Sequence, residues 1–191
     1  MYLLTETASP FALERWAAFF ANFGQFAKGF FYTLGISIGA LIVALLLGLI
    51  FGAMSSTHNK VLRGISRVYV EIFQNTPLLV QFVVVFYGIS ILTDGHVMIP
   101  ISLTAILCVG VYTGAYISEI IRTGIEAVPK GQTEAALSQG FTYADTMRII
   151  ILPQAVRTIL PPLTNQVVNL IKNTSTVAII SGADIMFTAK A

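Results

Sequence analysis

Charge is scarce in this 191-residue chain: eleven Lys and Arg and nine Asp and Glu make up 10% of it, against about 25% in a typical soluble domain. That shortage excludes a water-soluble globule, because a mean hydropathy of +0.80 leaves too little polar surface to cover a compact body. The apolar share, 55%, excludes disordered and fibrous chains as well. Cysteine is nearly absent. Cys108 stands alone among Ile106, Leu107 and Val109, so no intrachain disulfide exists and a buried, inert thiol is expected. Histidine is equally rare: His58 and His96 each lack a second ligand at metal spacing, so no metal site is assigned and both read as solvent-facing loop residues. The basic residues form no dense cluster interleaved with aromatics, which excludes nucleic acid as a partner. A phosphate loop of the Gly-x4-Gly-Lys-Ser/Thr type is missing too, so any ATP hydrolysis belongs to another chain. No carboxylate pair or metal-ligand set lies within an apolar run, so a membrane-embedded enzyme is disfavoured and no catalytic residue is assigned.

Long apolar runs are what the chain does have. A spanning helix needs about 20 predominantly apolar residues, and charge-free windows at residues 29–57, 72–93 and 95–118 meet that need. A fourth run, residues 149–171, is apolar apart from Arg157 and several amides and is punctuated by Pro153, Pro161 and Pro162. It reads as a kinked helix packed inside protein. The expected fold is an all-α transmembrane bundle with spans at about 29–57, 66–92, 98–121 and 149–171. Lys60, Arg63 and Arg67 between the first two spans mark that turn as cytoplasmic, and the basic stretch at 122–148 returns to the same side. Both termini then lie outside. Residues 1–28 carry Trp16, Phe19, Phe20, Phe23 and Phe26 at helical spacing beside Glu14, Arg15 and Lys28, which suits an extracytoplasmic interfacial helix or an extension of the first span. No basic leader segment precedes it, so no cleavage is expected. An internal repeat of the kind many secondary transporters carry is not visible.

The cytoplasmic connection at 122–148 is the most informative segment, because polar loops of this length are usually functional. After Pro129, Lys130 and Gly131, Thr133 is expected to cap a short helix with Glu134 near its positive end. Gly140 stops that helix in a left-handed turn, and Thr142 three residues before Asp145 starts another. Phe141 and Tyr143 flank the turn and either insert into a partner's groove or fold back on the membrane helices.

Polar residues at membrane depth are costly and turn toward a cavity or a neighbouring helix. Gln74, Asn75, Thr76 and Gln81 qualify in the second span, with Gln74 and Gln81 seven apart on one face and Pro77 freeing backbone acceptors. In the fourth span Asn165, Asn169 and Asn173 recur every four residues and draw a slowly turning stripe that Lys172 closes. The polar residues of the second span line a solute path or glue helices together, the latter at about 0.6 kcal/mol per contact, and the stripe of the fourth suits a solute path. Lys172 meets a solute carboxylate or snorkels to the outer interface. Glu119, three residues before Arg122, either compensates that charge or receives a solute's ammonium group.

Glu134, Ala135 and Ala136, then Gly140, Ile150, Leu152 and Pro153, reproduce the EAA-loop signature of the membrane subunits of binding-protein-dependent ABC importers. The flanking IIRTGIEAVPKGQ and LPQAVRTILPPLTNQ, with QNTPLLVQF at residues 74–82, resemble the polar amino acid branch of that family over roughly residues 25–190. The resemblance implies a type I importer permease in a bacterial cytoplasmic membrane. It implies as partners a dimer of cytoplasmic ABC ATPases carrying ATP and magnesium, a second permease subunit, identical or paralogous, an extracytoplasmic solute-binding protein and an amino acid substrate. No cofactor is expected in this chain. By the same resemblance Glu134, Ala135, Ala136, Gly140 and Phe141 form the element that couples to the ATPase. Permeases of this branch that carry cationic amino acids resemble this one but have an acidic residue at the position of Asn173, which leans the substrate toward glutamine, glutamate or aspartate. The family continues with one more span than this sequence contains. A passive channel or secondary carrier for small polar solutes is the alternative function.

Overall fold

The computed structural model describes residues 13–21 and 23–180, and all regular structure among them is helical. Helix α1 (Leu13–Ala21) precedes α2 (Phe23–Ser55), α3 (Lys60–Asn75), α4 (Leu78–Leu92), α5 (Ile101–Glu126) and the short α6 (Lys130–Ser138). A turn at Tyr143–Asp145 and a wide, π-type turn at Thr146–Ile151 then lead into α7 (Leu152–Asn173), which tightens into a 3-10 segment at Thr174–Ile180. The expected interfacial segment falls partly outside the described residues. Within them, the first span starts earlier than the charge-free window suggested: Phe23, Phe26 and Lys28 already belong to α2. At 33 residues, α2 is roughly 50 Å long, more than a hydrocarbon core of about 30 Å requires.

Helix α2 has two unlike sides. Phe31, Ile38, Ile42, Leu46 and Leu49 are exposed at helical spacing, which costs nothing against lipid. The opposite side carries buried Ala40, Ala44, Gly48 and Gly52, spaced by four, and packs along α5 in the most extensive helix pair of the chain. Small residues let the two backbones approach closely. A Cβ added at Gly48 would stand 2.6 Å from Ile117 Cβ, and one at Gly110 on α5 would stand 2.8 Å from Val43 Cβ. The core that forms around this seam gathers Ile36, Phe82, Ala105, Val109 and Ile117, with Leu170 and Val177 from the far end of the chain. Cys108 is buried beside them as expected.

The second span is not one helix. Helices α3 and α4 meet at 97° across Thr76 and Pro77. Proline has no N–H to continue the ladder and forces its predecessor out of helical geometry; Thr76 accordingly sits at φ −100°, ψ 121°. The bend corrects the expected shared face of Gln74 and Gln81, since the two belong to different helices. Gln81 is buried and its amide donates to the Phe73 carbonyl at 3.1 Å and the Thr76 carbonyl at 3.0 Å, satisfying acceptors that the proline leaves open. Replacing Gln81 by leucine is expected to destabilise the chain by about 1–3 kcal/mol, the usual cost of stranding buried polar groups. A lowered thermal midpoint in detergent checks this, and an unchanged midpoint refutes it. On α3 itself Ser66 donates to the Phe51 carbonyl (2.7 Å) and Tyr69 to that of Val111 (2.7 Å), while the Tyr69 ring stacks on Phe51 at 4.0 Å.

By length and composition, α2 and α5 each suffice to cross a membrane, and the bent α3–α4 pair can supply a third span. Helix α7 does not meet that standard, because Arg157 and its amides interrupt the apolar run. It runs as one helix with Pro161 and Pro162 inside it. The irregularity sits upstream: Pro153 occupies the first turn of α7, where a missing N–H costs little, and the wide turn at Thr146–Ile151 precedes it.

Candidate translocation face and coupling loop

Helix α6 begins at Lys130, with Pro129 as the preceding residue and no side-chain cap. Thr133 therefore lies inside the helix and Glu134 in its second turn, correcting the expected cap at Thr133; a proline with φ −57° is already set for a helix start. The far end follows expectation closely. Gly140 adopts φ +87°, its N–H donates to the Leu137 carbonyl at 3.0 Å, and the Phe141 N–H reaches back to the Ala136 carbonyl at 3.1 Å. This pair of reverse bonds is a Schellman turn. Thr142 then opens the next turn, its hydroxyl accepting from the Asp145 N–H (3.2 Å) and donating to the Asp145 carboxylate (2.5 Å).

Ala136 is the buried anchor of α6, while Glu134, Ala135 and Leu137 face outward. The helix leans on the wide turn at Thr146–Ile151, below which Val128, Ile151 and Ala155 form a separate small core. Phe141 is half-buried, so it neither projects freely nor disappears into the bundle. Tyr143 remains exposed and meets the His58 ring edge-on at 5.0 Å, joining the connection before α3 to the turn after α6. Both rings border a cavity of about 640 Å³ that Lys130, Thr133 and Glu134 also line.

The polar residues of the second span spend their donors on the backbone. Gln74 donates to the Ala115 carbonyl (3.2 Å), Asn75 to that of Glu71 (2.8 Å) and Thr76 to that of Ile72 (2.8 Å). Glu119 is held bidentately by Arg122, at 2.9 and 2.5 Å, and Arg122 also binds Glu126 at 2.6 Å. Charge compensation is thus the arrangement in this structure, with both Glu119 carboxylate oxygens accepting from Arg122. Gln74 and Glu119 are brought to one cavity wall.

The amides of α7 behave differently. Asn165, Asn169 and Lys172 are exposed, Asn173 is half-buried, and none of the four side chains has a hydrogen bond or ion pair within the described chain. Each step of four residues turns the stripe by about 40°, which carries Asn173 toward the bundle. A helix facing lipid cannot present such a row without large cost. The close packing of α2 on α5 and the proline lock at Gln81 escaped the sequence reading; small residues every four positions on α2 were the available signal.

A family model described as the binding-protein-dependent transport system inner membrane component matches residues 44–189. The chain is 41% identical over 173 residues to the probable glutamine ABC transporter permease protein GlnM of Bacillus subtilis, covering 89% of this chain and 77% of that protein. It is 36% identical over 171 residues to the glutamate/aspartate import permease protein GltJ of Escherichia coli, covering 84% and 70%. Among solved structures, a chain of an amino acid ABC transporter with histidines superposes with a TM-score of 0.84 at 33% identity, over 91% of this chain and 80% of that one. A methionine ABC transporter matches at a TM-score of 0.67 and 18% identity, a likeness of fold. With the bundle, the coupling-type loop and these matches together, the chain belongs to the family of inner membrane components of binding-protein-dependent transport systems.

Proposed function

We propose that this chain is the permease subunit of an ATP-driven importer of a polar amino acid, with glutamine, glutamate or aspartate as the substrate class. The observation that carries this is the unpaired amide stripe of α7, exposed at Asn165 and Asn169, half-buried at Asn173 and ending at Lys172. Such a row suits a zwitterion, whose carboxylate needs donors, better than it suits lipid. The stripe borders the solute path and faces a second permease subunit, identical or paralogous. Relatives named for glutamine and for glutamate/aspartate support the substrate class.

Glu134, Ala135, Ala136, Gly140 and Phe141 receive the movement of a cytoplasmic ATPase dimer, which holds ATP and magnesium. An extracytoplasmic binding protein delivers the amino acid to the outer mouth. ATP-driven closure of the ATPases rocks the bundle between outward-open and inward-open states, a population shift driven by the partner. Gln81 serves the architecture of the bend, its amide donating to two carbonyls there, whereas Gln74 spends one N–H on the Ala115 carbonyl and keeps a second N–H and its amide oxygen for the solute path.

The test is uptake into proteoliposomes containing the chain, its ATPase and its binding protein. ATP-dependent accumulation of glutamine, glutamate or aspartate is expected; equal flux without ATP overturns the proposal, as does arginine competing better than any of the three. Asn173→Asp is expected to improve arginine's competition relative to glutamate by about tenfold, the effect of roughly 1.4 kcal/mol of added attraction in a low-dielectric path. No change in that ratio removes Asn173 from the solute's contacts.

A further inference from the structure

On the side that the basic residues mark as cytoplasmic, α3 meets the ends of α2 and α5 around a cavity of about 550 Å³. Its charges do not balance. The three carboxylates in the wall are all taken: Glu71 by Arg67 at 2.7 Å, and Glu119 and Glu126 by Arg122. Lys60 and Arg63 line the same cavity and form no ion pair among the described residues. Ser118 belongs to the inner wall, is 1% exposed, and its hydroxyl has no hydrogen-bond partner. Two unpaired cations and an unanswered buried donor are the complement of an oxyanion.

Helix α3 adds a second, independent indication of what brings that oxyanion. Lys60, Arg63, Arg67 and Glu71 occupy one face, whereas Val61, Ile65, Val68 and Ile72 are exposed along another at spacings of four, three and four. A helix with a basic face and an open apolar face suits the membrane interface, where headgroup and acyl chain lie side by side. The 97° bend turns α3 sharply away from α4.

We propose that this cavity binds a phosphate-bearing anion, and that its resident is the headgroup phosphate of an anionic phospholipid from the cytoplasmic leaflet. Lys60 and Arg63 hold the phosphate oxygens, and the apolar stripe of α3 runs along the acyl chains. The paired carboxylates keep Arg67 and Arg122 in position without competing for the ligand.

The test is native mass spectrometry of the full chain in detergent, titrated separately with phosphatidylglycerol, phosphatidylcholine and inorganic phosphate. One phosphatidylglycerol is expected to bind more tightly than phosphatidylcholine, with the affinity weakened by about tenfold or more in the K60Q/R63Q double variant. Both residues are exposed, so the variant is expected to fold, and an unchanged thermal midpoint verifies it. Ser118→Ala is the second variant, with a smaller loss of the same sign. Undiminished phosphatidylglycerol binding in the double variant overturns the site. Inorganic phosphate that binds with the same dependence on Lys60 and Arg63, while phosphatidylglycerol does not, overturns the lipid as its resident.

Discussion

Gly48→Val is expected to disassemble the bundle. The added Cβ would lie 2.6 Å from Ile117 Cβ, and the Gly114 carbonyl oxygen stands 3.4 Å away on the same helix. Valine brings two further carbons into that gap. Neither contact is the far end of a flexible side chain, so relief requires α2 and α5 to move apart along the seam where they pack most extensively. Overpacking of a tight core costs about 1–3 kcal/mol. In a bilayer the loss is harder to recover, because lipid tails are as apolar as the partner helix and packing is the main force holding the pair. A large fall in thermal midpoint and in the monodisperse fraction is the expected result. Gly35→Val is the control: it lies exposed on the same helix with nothing within 4 Å of its added Cβ, and its stability should be unchanged. Equal behaviour of the two variants would falsify close backbone approach as the basis of the α2–α5 seam.

Gly140→Val should separate ATP hydrolysis from transport. At φ +87° a β-branched residue is in a region closed to it, at a penalty of about 1–2 kcal/mol or more. The chain escapes by giving up the two reverse bonds from Gly140 and Phe141 to the Leu137 and Ala136 carbonyls. Phe141 and α6 then lose their fixed relation. On the proposed coupling role, uptake falls by about tenfold, the equivalent of 1.4 kcal/mol of lost coupling, while insertion and abundance stay near the wild type because Gly140 lies in an exposed turn. Gly140→Asn should restore much of the activity, since asparagine tolerates the left-handed region. Normal uptake by the valine variant would remove the loop from coupling. An asparagine variant as impaired as the valine one would show that backbone conformation is not the cause.

What could be read from residues alone followed the strength of local rules. The left-handed stop at Gly140 and the Thr142–Asp145 start were legible because each depends on a few neighbouring residues with specific geometry. Burial of Cys108 followed from apolar neighbours. The start of α2 at Phe23 agrees with the second of the two readings of the aromatic segment, an extension of the first span: absence of charge marks where lipid begins, whereas a helix that lengthens into the interface keeps polar residues such as Lys28. Thr133 looked like a cap because hydroxyls favour that role, yet Pro129 started the helix a turn sooner. The bend at Pro77 was foreseeable as a weak point, but its 97° angle and the use of Gln81 to close it depend on tertiary packing that no local pattern encodes. Glu119 illustrates the same limit. Its partner was visible three residues on, but only the folded arrangement decides that both carboxylate oxygens accept from it.

Helix α7 has a consequence for how the protein is made. With Arg157, its amides and two internal prolines, it falls short of the apolarity that lets α2 and α5 enter lipid unaided. Its stable insertion is therefore expected to depend on packing against α5, where Gly124 accepts the Ile159 side chain so closely that an added Cβ would overlap Ile159 Cγ1. A bulkier residue at Gly124 is then expected to lower the inserted fraction of α7 while leaving that of α2 and α5 unchanged.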